Sequence, residues 1–210
     1  MFLLRMFFIS LLTLSPAVAS GDMLQQAIEH FQALSSYSAV MRSYGEAEHT
    51  IRYRYKKPGY VRMDFIQPHR GAALVYRPDS GKVQLRPFGF SKSLVLTMKP
   101  SARLVRGPSG HRADESDIGV LLEHAQKLSQ SGNQRVLREE AQQDSILVVL
   151  EIVGAENVLV DGVQRYLLWL DKQLKLPRRV ESYDTEDQLI EGLFLDDLAL
   201  NVDFSDIFEL

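Results

Sequence analysis

Apolar residues recur along this chain with two different periods, and the changes between them mark out its elements. Leu24, Ala27, Ile28, Phe31 and Leu34 fall at helical spacing, with Gln25, Gln26, Glu29 and Gln32 opposite them. That pattern predicts an amphipathic helix opening near Asp22 and ending at Ser35-Ser36. From there to about residue 99 the period becomes two. Ile51, Tyr53 and Tyr55 alternate with Arg52, Arg54 and Lys56; past the Lys57-Pro58-Gly59 turn, Val61, Met63 and Phe65 alternate with Arg62 and Asp64. Leu74 and Tyr76 resume the pattern after Pro68, and Pro78-Asp79-Ser80-Gly81 turns the chain into Val83 and Leu85. Half-apolar strands joined by short turns predict an antiparallel meander.

The segment Gly107-Pro108-Ser109-Gly110-His111-Arg112-Ala113-Asp114-Glu115 interrupts the strands and leads into a second helix from about Asp117 to Ser129. Its stripe is Ile118, Leu121, Leu122, Ala125 and Leu128, and Ser131-Gly132-Asn133 ends it. Strands then return at Ser145–Val153, Val163–Leu170 and Arg179–Tyr183. The Asp184–Asp187 turn leads to Leu189–Leu195, and a final edge strand lies around Leu198–Val202. The expected fold class is α+β, mainly β: an open (half) antiparallel β-barrel of about ten or eleven strands covered by helices. A sheet of that size cannot fill its concave face from its own side chains. One or both helices are expected to lie across it, enclosing an apolar site.

The first residues change the picture by giving the protein an address. Arg5 precedes the short apolar run Phe7–Leu14, and Ala17-Val18-Ala19 supplies small side chains before Ser20. This order predicts a cleavable export signal over residues 1–19, leaving one domain over 20–210. The 210 residues contain no Cys, so neither disulfides nor an acylated N-terminal Cys can serve this chain. The expectation is a soluble periplasmic monomer stabilised by its hydrophobic core. Charge is unevenly placed: residues 40–112 carry 15 Lys and Arg against 4 Asp and Glu, whereas 113–210 carry 8 against 21. Mutual neutralisation of the two halves explains this, as does a basic face for anionic lipid headgroups. Nucleic acid is not expected as a partner of an exported protein with an acidic second half.

Catalytic patterns are absent from the sequence. It contains no G-x-S-x-G, H-E-x-x-H or C-x-x-C, and its five His residues are scattered. Only His111, followed by Asp114, Glu115 and Asp117, forms a dense group; metal or proton handling is one reading, and capping of the second helix is the other. The pairs Glu139-Glu140 and Asp196-Asp197 are adjacent, so on strands they point to opposite faces, unlike a glycosidase pair. Tyr53, Tyr55, Tyr60, Tyr76 and Trp169 could stack on sugar rings or belong to the core. Arg62 sits mid-strand, either facing outward to pair with an acid or pointing at a covering helix and binding its carbonyls. No enzymatic activity, cofactor or metal is expected.

Two stretches carry a family resemblance. Tyr55–Phe65, containing Lys56-Lys57-Pro58 and Arg62, is similar to the K-x-P-x-x-x-R strand pair of the lipoprotein-localisation superfamily, LolA and LolB with their relatives. Leu168–Gln173 with Leu176–Asp184, followed by Leu193–Asp197 and Asn201, resembles that family's C-terminal hairpin. The resemblance implies a roughly eleven-stranded open barrel that carries lipoprotein acyl chains across the periplasm. Envelope membrane proteins would then be candidate partners. It maps the family's latch arginine onto Arg62. The cavity and lid residues expected on this basis are Tyr53, Tyr55, Arg62, Met63, Phe65, Tyr76, Ile118, Leu121, Leu122, Ala125 and Trp169. The chain departs from the family at His69-Arg70-Gly71 and Pro78–Gly81, where a D-G turn is usual, and in the Gly107–Gly119 insertion.

Overall fold

A computed structural model describes residues 20–45, 47–91, 93–107, 110–142, 144–205 and 207–210. The expected export signal, residues 1–19, lies outside the described residues. Helix α1 (Ser20–Ala33) precedes strands β1 (Ser36–Gly45), β2 (His49–Lys56), β3 (Tyr60–Gln67), β4 (Ala73–Arg77), β5 (Lys82–Arg86) and β6 (Leu96–Met98). Two short 3-10 turns, Arg103–Val105 and Ala113–Glu115, lead to helix α2 (Ile118–Ser131). Strands β7 (Asn133–Ala141), β8 (Ile146–Val153), β9 (Arg165–Asp171), β10 (Pro177–Tyr183) and β11 (Leu189–Leu200) follow. Among the described residues, no helix is long and apolar enough to cross a membrane.

The strands form one 11-stranded antiparallel sheet in the order β6-β5-β4-β3-β2-β1-β11-β10-β9-β8-β7, left open because β6 and β7 do not pair. First and last strands meet in the middle, so the basic and acidic halves of the sequence lie side by side rather than face to face. Arg42–Asp196 is an ion pair across that seam. The expected edge strand at Leu198–Val202 is instead the end of β11, which runs centrally between β1 and β10. A bulge at Asp196-Asp197, with Asp197 at φ 49°, separates its two parts: Val40 pairs with Asp196 and Ser38 with Ala199. Strand β7 escaped the sequence reading because it is an exposed edge strand whose large apolar residues, Val136 and Leu137, are adjacent, so no alternation shows.

Both helices cover the concave face. Leu24, Ala27, Phe31 and Leu34 from the first helical segment join Ile118, Leu122, Ala125 and Leu128 from α2 over Tyr37, Tyr55, Leu150 and Leu168. The helices touch closely at Gly119, where an added Cβ would lie 2.3 Å from the Phe31 ring. A smaller core of Leu74, Val83, Leu85, Val105 and Ala113 closes the β4–β5 end.

Candidate functional site: a cavity under a helix and a strap

The N-terminus of α2 is fixed by three side chains. The Asp117 carboxylate accepts from the backbone N–H of Gly119 at 2.7 Å and of Val120 at 3.3 Å. The Ile118 N–H donates to the Tyr37 hydroxyl at 3.1 Å, so the first turn's free donors are met. Tyr53 Oη lies 3.2 Å from Ser116 Oγ. Burial pushes the Tyr53 phenol far above its usual range, and the nearby Asp117 charge adds to this. Burial also raises the Asp117 carboxyl, against its backbone hydrogen bonds. The dense group seen in sequence is therefore divided: Asp117 caps the helix, while Asp114 and Glu115 pair with Arg112.

Between α2, the strap of chain running from Lys99 to Asp117, and the concave sheet lies a cavity of about 710 Å³. Met41, Ile51, Met63, Phe65, Leu74 and Leu85 line it from the sheet; Val105, Ala113, Ile118 and Leu121 line it from above. Its size falls within the ~300–1,000 Å³ typical of small-molecule sites. Four of the five histidines, His49, His69, His111 and His124, reach its wall, although they are dispersed in the sequence. His111 spans the rim, with Nδ1 3.4 Å from Asp161 and Nε2 3.5 Å from Glu191. The Glu191 interaction chiefly raises the His111 pKa, with Asp161 adding and burial opposing. No group of three or more His, Asp or Glu side chains among the described residues could hold a metal ion.

Of the residues expected at the site, Tyr53, Met63, Phe65, Ile118 and Leu121 line this cavity. Tyr55, Leu122 and Ala125 are packed into the core beside it. Tyr55 lies 5.2 Å from Tyr37 and 5.7 Å from Phe31, ring to ring, and burial raises its pKa to about 12. Tyr76 fills the space between the two cores. Trp169 is on the opposite, convex face with Leu147 and Val149, because Leu168 and Leu170 take the inward positions of β9. Its Nε1–H donates to Glu140 at 3.2 Å, and the Arg179 guanidinium lies 4.4 Å above its ring.

Arg62 is also convex, by the same parity that turns Met63 and Phe65 inward. It donates to the Asp64 carboxylate at 2.8 and 2.9 Å, and to the carbonyls of Ile207 and Glu209 at 2.6 and 3.0 Å. It binds backbone carbonyls, but those of the C-terminal segment rather than of a covering helix. Burial favours the neutral Asp64 carboxyl, yet hydrogen bonds from Arg62 and Arg54 outweigh it and hold the pKa below its ordinary value. Arg62 thus follows the outward-facing reading, paired with an acid, and the contact to a helix that the alternative reading gave it is made by Lys57. Its ammonium donates to Gln32 O at 2.5 Å and Phe31 O at 3.2 Å, capping the negative end of α1. The sequence held a signal for this, a Lys in the turn after β2, which parity arguments about strands do not weigh.

No model of a known family matches the chain, and no curated protein matches it. Solved structures do. An uncharacterized conserved protein from Thermus thermophilus is 11% identical, over 89% of this chain and 90% of that chain, with a TM-score of 0.55. The lipoprotein LppX of Mycobacterium tuberculosis is 10% identical over 87% and 95%, with a TM-score of 0.53. The structure of the Pseudomonas aeruginosa MucA/MucB complex matches at 18% identity and a TM-score of 0.52, over 89% of this chain and 59% of that one. At such identities the likeness establishes the fold alone: an open antiparallel half-barrel under helices.

Proposed function

We propose that this chain is a non-enzymatic carrier that binds lipid, or the acyl chains of lipoproteins, in its concave cavity. It would act outside the cytoplasm, in the envelope, after loss of its leader. The observation that carries this reading is the cavity of about 710 Å³ with a predominantly apolar wall. Each methylene buried there contributes about 0.8 kcal/mol, so a dodecyl chain gains on the order of 10 kcal/mol before ordering costs are subtracted. The division of the His111 group among a helix cap and separate ion pairs supports binding without catalysis. Native mass spectrometry of protein purified from its own envelope tests the reading. A bound lipid or acylated peptide is expected, and a uniformly empty cavity counts against it.

A second reading has the same cavity sense a lipid while the surface contacts another envelope protein. The likeness to MucB, solved in complex with MucA, favours it. A stoichiometric protein partner recovered with the chain, with release controlled by lipid, would distinguish it from transport.

A further inference from the structure

Half of the large apolar side chains that stand exposed in the described residues crowd into one stretch, residues 88–104: Phe88, Phe90, Leu94, Leu96 and Leu104. Phe90 is 89% exposed and Leu104 64%, so neither packs into a core of this chain. The same stretch is free of acid, since the sequence has no Asp or Glu between Asp79 and Asp114. Arg77 and Arg112, flanking it, pair with Asp79 and Asp114. Lys99, Arg103 and Arg106 within it are exposed and make no ion pair among the described residues; Arg106 donates to the Ser101 carbonyl at 3.2 Å.

The aromatic tip is built rather than loose. Phe88 and Phe90 stack with ring centroids 5.3 Å apart and planes at 17°. Gly89 between them lies against Gly71 of the β3–β4 turn, so closely that a Cβ on Gly89 would sit 2.9 Å from the Gly71 Cα. Gly71 has φ +85°, which favours glycine at that turn. The Arg70 carbonyl lies 3.1 Å from the same Cβ position on Gly89, so this backbone contact fixes the Phe88–Phe90 loop against the turn, where Arg70 is exposed. Phe88, Leu104 and Arg106 also line the cavity, so the patch runs into its mouth.

We propose that Phe88–Arg106 is a docking surface for an anionic lipid bilayer. Phe88, Phe90 and Leu104 enter the boundary between headgroups and acyl chains, and Lys99, Arg103 and Arg106 meet the phosphates. Exposed aromatic and apolar side chains among unpaired cations, with acids excluded, match the chemistry of that boundary. Docking brings the cavity mouth to the membrane surface, where a lipid can pass without crossing water. Only this last consequence rests on the carrier reading.

The test is flotation of the purified protein, in the form to which its host processes it, with phosphatidylcholine vesicles that contain or lack phosphatidylglycerol. The protein should float with the anionic vesicles and stay behind with the neutral ones. The double variants Phe88→Ser/Phe90→Ser and Lys99→Glu/Arg103→Glu should each reduce partitioning roughly tenfold or more. Thermal melts should be unchanged, because these side chains are exposed. Absence of flotation with anionic vesicles, undiminished flotation of both variants, or capture of a protein by the patch without vesicle binding overturns the proposal. Uptake of a fluorescent fatty acid without vesicles is measured alongside. A wild type that takes up fatty acid but does not float refutes docking alone, whereas a wild type that floats but takes up no fatty acid refutes the carrier reading alone.

Discussion

The two ends of the concave face differ in what covers them. Over β8, β9 and the start of β1 the cover is helical. Phe31, Leu122, Ala125 and Leu128 interdigitate with Tyr37, Leu150, Leu168 and Leu170, leaving every one of them nearly inaccessible. Over β3, β4 and β5 the cover is the strap between Lys99 and Asp117, whose buried apolar side chains beyond Pro100, among the described residues, are Val105 and Ala113. A helix delivers a large side chain to the same face every three or four residues. An irregular strap does not, so Met63 and Phe65 stay only partly buried and, with Leu74 and Leu85 at the edge of the smaller core, line the cavity. Sheet curvature provides the hollow, and the cover decides whether it becomes core or cavity.

The sharpest way to break this comparison is to truncate at the filled end. Leu122→Ala is expected to cost about 2–5 kcal/mol in denaturant unfolding, because the helical cover cannot collapse onto the space left. A loss no greater than that of Leu121→Ala, which faces the cavity, would mean that the ends are packed alike. Next in size is Arg62→Ala on the convex face, expected to cost about 1–3 kcal/mol by releasing the Ile207 and Glu209 carbonyls and leaving Asp64 to Arg54. The Asp64 pKa is depressed in the folded state, so its contribution is present above its unfolded value of about 3.9 and lost as pH falls through the folded one. The acid limb of the stability curve should therefore be shallower in the variant. Fatty-acid uptake should not change; a fall in uptake would restore Arg62 as a latch.

Much of the filled end was legible in the sequence, and much of the cavity end was not. The stripes Leu24–Leu34 and Ile118–Leu128 fix both helices, because packing imposes a 3.6-residue period that residues can record. Of the turn residues quoted for the family resemblance, Asp171 is a local closure, accepting from the Gln173 and Leu174 N–H groups at 2.8 and 3.0 Å. Such a contact is written over a few positions and can be read from them. Asn201 instead accepts from the Ser35 N–H at 3.0 Å, tying the end of β11 to the turn before β1 across the whole chain. The convergence of His49, His69, His111 and His124 depends on strand order and curvature, which no local spacing encodes. Trp169 was misplaced for a related reason. β9 is apolar on both faces, so its sequence names no inward side.

At the cavity end, Leu121→Asn should separate binding from stability. Leu121 lines the cavity beside fully buried Leu122, so a polar side chain there is placed in contactable space rather than in packed core. Unfolding free energy should fall by about 1 kcal/mol or less, while fatty-acid affinity falls on the order of tenfold, through the apolar contact removed. Equal uptake by wild type and variant would mean that acyl chains lie elsewhere.

The smallest expected effect concerns what holds the strap down. His111 joins it to Glu191 on β11 and to Asp161 in the β8–β9 connection. Its folded pKa is raised, chiefly by Glu191, so the stabilisation is fully present below the unfolded value of about 6.5 and is lost as pH rises through the folded one. His111→Gln keeps a polar side chain but cannot take the charge. Wild type should melt higher than the variant at mildly acidic pH, and the two curves should converge on the alkaline side of the raised pKa. Fatty-acid exchange should quicken over the same interval in wild type only, because only there does the strap lose a charged tie. Parallel melting curves across this window would show that the rim is held without the imidazolium. The cavity's cover would then be as fixed as the helical end, and the contrast between the two would be one of filling alone.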